Sequence, residues 1–135
     1  MEGSVKDLSG IRFEKALEML RASEKNLEQN ELRTSLNRSY YAIFHAMRSV
    51  KCLDGFDSSK HSGVIAHFNE YTLKTHKMDP RLSEIIKKAS YCREKADYDD
   101  FYIVSRSEVE EQLRNAHVFI DSVSNYLEKA NDSDT

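Results

Sequence analysis

Arg38 and His45 stand seven residues apart in the stretch Leu36 to Met47, LNRSYYAIFHAM, whose apolar positions recur at helical spacing. At about 100° per residue, His45 lands nearly above Arg38, two turns along, with Tyr41 between them. Leu32, Leu36, Tyr40, Ile43, Phe44, Met47 and Val50 fall on the opposite arc and form the expected core face. A guanidinium can hold two phosphate oxygens at once, and an imidazole moves protons near neutral pH. An arginine and a histidine on one helical line therefore have the chemistry to bind and cleave a phosphodiester. The same spacing also arises on a polar face whose arginine and histidine share no task. Beside the line, Ser35, Ser39, Ala42, Ala46 and Ser49 make a strip of small side chains. Small residues let two helix backbones approach closely, so the strip is expected to be a packing seam, at or near a two-fold interface between copies.

Other residues are weaker candidates. His61 follows Lys60 at the expected start of a helix, where backbone N–H groups could receive an anion. An ordinary capping-region histidine is the simpler reading of the position. Arg93 and Asp97 stand at i,i+4, the spacing of an ion pair that orders a helix end, with RNA contact as the alternative. Tyr41 joins them as a polar group on the Arg38–His45 line. His67, His76 and His117 are scattered, and no HExxH pattern or carboxylate cluster accompanies them, so neither a metal site nor a cofactor is expected. Cys52 and Cys92 lie forty residues apart without a CxxC pair, which excludes a zinc knuckle and suggests buried free thiols.

The elements that must position these groups are helices. With 135 residues the chain is expected to be a single domain, and one proline and four glycines are too few for the turns of a β-sandwich. Periodicity predicts helices over about 11–28, 31–53, 62–71, 80–96 and 105–130, with a loose leader at 1–10 and a frayed tail at 131–135. Asp79-Pro80 reads as a helix start, and Ser105 with Glu108 as a capping box. The architecture these imply is all-α, an up-and-down bundle of four to five antiparallel helices. No apolar run approaches a membrane span and no leader signature is present, so no membrane role and a cytoplasmic location are expected. Charge is uneven. Residues 12–95 carry 16 Lys and Arg against 11 Asp and Glu, whereas 96–135 carry 3 against 10. A local anion site on this mildly acidic chain is compatible with that distribution, as are solvated helix faces of different sign.

The segment LNRSYYAIFHAM, with KHSGVIAHF at Lys60–Phe68 and YCREKADYDD at Tyr91–Asp100, resembles the HEPN-domain family. The resemblance implies a small helical bundle that forms a homodimer. It also implies a metal-independent endoribonuclease of toxin type acting on RNA, often paired with a nucleotidyltransferase-type antitoxin. The family's arginine and histidine fall on Arg38 and His45, and the site would be formed by both residues from two subunits. Tyr41, Lys60, His61 and Arg93 become candidate binding residues. Met47 occupies the position where some members carry a modified tyrosine. The alternative is a non-catalytic nucleotide- or partner-binding module working with a nucleotidyltransferase. Two copies of His45, one neutral and one protonated, would give a rate that peaks near the ordinary imidazole pKa of ~6.5.

Overall fold

A computed structural model describes residues 3–133 of the chain. Five α-helices follow one another: α1 (Val5–Glu28), α2 (Leu32–Lys51), α3 (His61–Phe68), α4 (Leu82–Tyr98) and α5 (Arg106–Ser133). A 3₁₀ turn at Cys52–Asp54 closes α2, and a π-helical turn at Asn69–Leu73 extends α3. Among the described residues there is no strand, and no helix is long and apolar enough to cross a membrane.

The stretch expected as a loose leader is helical from Val5. Ser4 and Asp7 form a reciprocal cap: the Ser4 hydroxyl accepts from the Asp7 N–H at 3.0 Å, and the Asp7 carboxylate accepts from the Ser4 N–H at 3.1 Å. Such a cap is worth about 1 kcal/mol and lets the helix start six residues before its apolar periodicity does. The remaining leader positions, Met1 and Glu2, lie outside the described residues. So do Asp134 and Thr135 of the expected tail, whose earlier part completes α5.

α2 is the axis of the bundle and touches each of the other four helices. The small-residue strip is a seam, as its composition suggests, but α1 of the same chain fills it. Ser35, Ser39, Ala42, Ala46 and Ser49 are all buried within the monomer, so the strip cannot also be a two-fold interface. Two sets of hydrogen bonds fix the register. The Ser9 hydroxyl donates to the Ser49 carbonyl at 2.7 Å. Fourteen residues on, the Ser23 hydroxyl donates to the Ser35 carbonyl at 2.9 Å and the Ser35 hydroxyl returns the bond to the Ser23 carbonyl at 2.8 Å. This antiparallel register sets Ala16 opposite Ala42, both fully buried, and Arg12 opposite Ala46.

On its other side α2 lays Tyr40, Ile43, Phe44, Met47 and Val50 into a core shared with Phe68, Leu82, Ile86, Phe119, Ile120 and Val123. Lys51 at its end is buried, and its Nζ reaches Thr72 Oγ1 at 2.6 Å and the Asp54 carboxylate at 2.7 Å. The bond to Thr72 ties α2 to the π-helical turn. α4 runs two residues past its expected end. α5 begins as Ser105 predicts, its hydroxyl accepting from the Glu108 N–H at 3.1 Å. The Glu108 side chain does not complete a capping box; it receives hydrogen bonds from Tyr102 and from the Cys92 thiol. Both cysteines are free and buried, as expected.

Ala42→Leu adds three carbons to the α1–α2 seam opposite Ala16, where both residues are fully buried. Overpacking there should cost about 1–3 kcal/mol, read as a lower urea midpoint at constant m-value. An unchanged midpoint would mean that α1 does not occupy the seam.

Candidate functional site

Arg38, Tyr41 and His45 do lie along one line of α2, but none of them is fully exposed. Because α2 is central, Arg33 is its only exposed residue, and the three line residues are half-buried between their neighbours. Arg38 donates from Nη1 to Asn37 Oδ1 at 2.6 Å, and Asn37 in turn reaches the Asp97 carboxylate at 3.3 Å. Asp97 also pairs with Arg93 across 3.6 Å, the ion pair that their spacing suggested. Arg33 helps to hold this end of α4 in place through the carbonyls of Ala96 and Tyr102.

His45 sits in an aromatic cluster two turns further along. Its ring centroid is 6.1 Å from Tyr41 and 5.8 Å from Phe44. His61, the first residue of α3, touches the same two rings, at 5.4 Å and 4.2 Å. The His61 Nδ1 shares a hydrogen bond of 3.1 Å with the Tyr40 hydroxyl, and the Arg93 guanidinium lies over the Tyr40 ring at 4.6 Å. Tyr40, a core residue by its periodicity, thus links α3 to the site through its hydroxyl and α4 through the face of its ring. Burial raises its pKa, so the hydroxyl stays neutral.

The charge around His45 is positive. Arg12 and Arg48 both reach the Asp57 carboxylate, at 2.8 Å and 3.2 Å. His45 itself is pushed down to about 4, first by burial and then by Lys15, Arg48, His61 and Arg12. Its Nδ1 is sealed from solvent and has no hydrogen-bond partner. That leaves Nε2 as the nitrogen that can meet a ligand. The His61 pKa is lowered as well, by burial and then by Arg93 and Arg48. At neutral pH the site therefore holds neutral imidazoles among guanidinium groups, an environment that accepts an anion and can take up a proton.

Of the residues singled out in the sequence, Arg38, Tyr41, His45, His61 and Arg93 converge on this face through the links just described. Lys60 stands apart, exposed at the N-cap position of α3, its backbone N–H bonded to the Ser58 hydroxyl at 3.1 Å. Tyr40, Asn37, Arg12 and Arg48 are not singled out as site residues by the sequence. For Arg48 a signal exists, since it extends the line of Arg38, Tyr41 and His45 by one more turn. Arg12 and Asp57 come from other segments and only the tertiary packing brings them in.

Comparisons with known proteins agree with this fold. The HEPN domain profile matches residues 10–126. A protein of Methanocaldococcus jannaschii whose name proposes a toxin is 31% identical over 125 residues, covering 87% of this chain and 85% of that one. A UPF0332 protein of Thermotoga maritima is 30% identical over 114 residues, covering 84% and 86%. The crystal structure of TT1696 from Thermus thermophilus superposes with a TM-score of 0.74 over 87% of this chain and 97% of that one. At 19% identity that likeness concerns the fold alone.

The buried histidine makes a prediction about stability. The unfolded chain binds a proton at His45 below its ordinary pKa of ~6.5, whereas the folded chain does so only near 4. Stability should thus be full above pH 6.5 and fall as the pH drops toward 4, with His61 and His67 contributing in the same direction. His45→Asn should flatten the slope of urea midpoint against pH in that window. An identical slope in the variant would show that His45 titrates normally.

Proposed function

The chain belongs to the HEPN family, and from that premise we propose that it is a metal-independent endoribonuclease of toxin type, with Arg38 and His45 from two copies in a homodimer forming the site. The observation that carries this reading is His45: a neutral imidazole with one sealed nitrogen, on one line with Arg38 and surrounded by cations. Such a base takes the proton of a ribose 2′-hydroxyl, whose oxygen attacks the adjacent phosphorus. The bond from phosphorus to the 5′-oxygen breaks, and the second His45 or water protonates that oxygen. Arg38 stabilises the charge on the crowded phosphorane, the role of a positive clamp where charge develops. The products are a 2′,3′-cyclic phosphate and a 5′-hydroxyl.

One histidine cannot easily act on both sides of phosphorus, which is why two copies are invoked. Since the small-residue seam is used within the chain, the second copy must meet another surface. Phe101 and Ile103 are 94% and 88% exposed on the connection after α4. Arg33 and Asn37 hold that end of α4 beside Arg38, so a copy covering these two side chains also brings the sites together. The toxin names of two relatives support the toxin part of this reading. To it we add a cytoplasmic location and an antitoxin of nucleotidyltransferase type that restrains the activity. The depressed His45 pKa shifts the expected pH profile. In the free chain the limb governed by this group lies near 4, well below the ~6.5 of an ordinary imidazole. Bound phosphate offsets the neighbouring cations, so the kcat profile should sit at higher pH than that of kcat/KM.

The decisive experiment incubates the purified chain with single-stranded RNA and with DNA of the same sequence in excess EDTA. RNA should be cut to fragments ending in 2′,3′-cyclic phosphate, and DNA should be untouched. Arg38→Ala and His45→Ala should each lower the rate by about 100-fold or more while the fold survives. Loss of cleavage in EDTA, or equal cutting of DNA, overturns the mechanism. If RNA is never cut but nucleotide or a partner binds, the non-catalytic module is the correct reading.

Assembly is tested separately. Sedimentation should give a dimer at micromolar concentration, and the double variant Phe101→Glu, Ile103→Glu should shift it to monomer and abolish cleavage. A wild-type monomer that still cleaves RNA would exclude the two-copy site.

A further inference from the structure

Arg12 is an arginine whose side chain is only 10% exposed, yet the carboxylate it pairs with, Asp57, is 53% exposed on the loop between the 3₁₀ turn and α3. Arg48, half-buried, reaches the same carboxylate at 3.2 and 3.5 Å. Two guanidinium groups thus share one negative charge. Their remaining donors are poorly used: Arg12 Nη1 and Arg48 Nε are shut from solvent without a hydrogen-bond partner, and the Cys52 thiol stands near the Arg12 guanidinium. A guanidinium carries five donors, so a shared carboxylate leaves this pair well short of saturation. Desolvation alone would raise the Asp57 pKa, but the hydrogen bonds from Arg12 and Arg48 hold it below the usual carboxylate range, so the loop presents a full charge.

The position of this cluster is as telling as its composition. Arg48 continues the line of Arg38, Tyr41 and His45 by one turn, and the α1–α2 register sets Arg12 opposite Ala46, beside His45. The charges of both arginines are felt at His45. A phosphodiester matches a carboxylate in charge and in offering two oxygens to a guanidinium fork, and unlike a carboxylate it presents them on a tetrahedral centre. We propose that Arg12 and Arg48 form a phosphate subsite next to His45, that Asp57 occupies it in the free chain, and that a backbone phosphate of RNA flanking the scissile bond displaces Asp57. Only the choice of RNA as the polymer rests on the ribonuclease reading above; the exchange of one anion for another requires no cleavage. Displacement frees the Gly55–Lys60 loop as both arginines pass from the Asp57 carboxylate to the phosphate oxygens. The RNA strand would then lie along α2, with Arg38 and Arg48 two and one turns from His45 on either side.

The test measures binding of a 2′-O-methyl oligoribonucleotide, which cannot be cleaved through the 2′-oxygen, by fluorescence anisotropy at fixed ionic strength. Asp57→Asn removes the competing charge with little change in shape. It should bind about tenfold more tightly than the wild type, the effect of one charge-assisted contact no longer in competition. Asp121→Asn, which removes the same charge from an exposed position on α5, should change affinity by less than about twofold at moderate salt. Arg48→Gln should weaken binding about tenfold, and Asp57→Asn added to it should no longer tighten. Inorganic phosphate should displace the oligonucleotide from Asp57→Asn more readily than from Arg48→Gln. An Asp57→Asn chain that binds no better than Asp121→Asn, or more weakly because its loop has lost its anchor, overturns the subsite. A gain in Asp57→Asn with no RNA cleavage by the wild type leaves the subsite standing and removes the ribonuclease reading. Cleavage without the gain does the reverse.

Discussion

α1 can lie close on α2 because Ser35, Ser39, Ala42, Ala46 and Ser49 offer it nothing larger than a hydroxyl or a methyl group. Close approach buries little apolar area per residue, so the contact needs direction as well as area. The serine pairs supply it. Reciprocal hydroxyl-to-carbonyl bonds between Ser23 and Ser35, and the single bond from Ser9 to Ser49, cannot form in a slipped register. Each is a buried hydrogen bond of modest net worth, about 1 kcal/mol. A slip would strand all of these groups without partners, and that larger penalty is what specifies the alignment. Through it, Arg12 is delivered beside His45.

This arrangement makes the candidate site a property of the bundle's axis. α2 has a neighbour on nearly every side, so any charged group on it is partly withdrawn from water. Arg38 is supported by Asn37, which links to Asp97, and Arg93 by both Asp97 and the face of Tyr40. His45 has no such support. Burial and four nearby cationic or titratable groups all act against its protonation, and its Nδ1 meets nothing. A neutral imidazole is the state in which the folded chain accommodates this position, and it is also the state a general base requires. The two demands, of folding and of proton transfer, favour the same protonation state here.

The helices are legible in the sequence because their apolar residues repeat with the helical period, and the Arg38–Tyr41–His45 line follows from the same arithmetic. Start and stop residues are less legible. The Ser4–Asp7 cap lies ahead of any apolar repeat, so the first turns of α1 look like a leader, although Ser9 and Arg12 are among its buried residues. The small strip reads as a seam, but the partner it suggests is the wrong one. Its composition says that a backbone comes close; it carries no information on whether that backbone belongs to the same chain. α1 has its own small buried residues, Ser9, Ala16 and Ser23, at seven-residue intervals, and matching the two patterns pairs them. Tyr40 shows a different limit. Periodicity places its ring in the core correctly, but the direction in which its hydroxyl leaves the core depends on where α3 and α4 arrive.

Arg12 and Asp57 mark the point where sequence reasoning stops for a physical reason. They are 45 residues apart, and nothing local calls for either: Arg12 sits within an ordinary amphipathic helix and Asp57 in a polar loop. Their pairing is a consequence of burying an arginine, since an ion withdrawn from water must find a counter-charge or cost the fold several kcal/mol. The chain meets that demand with a carboxylate that is itself half in solvent. A fully buried partner would have made a permanent salt bridge. An exposed one keeps Arg12 neutralised during folding while remaining replaceable by another anion afterwards. The same two arginines that the α1–α2 register draws together beside His45 thus set both the counter-charge that folding requires and the positive field at that face.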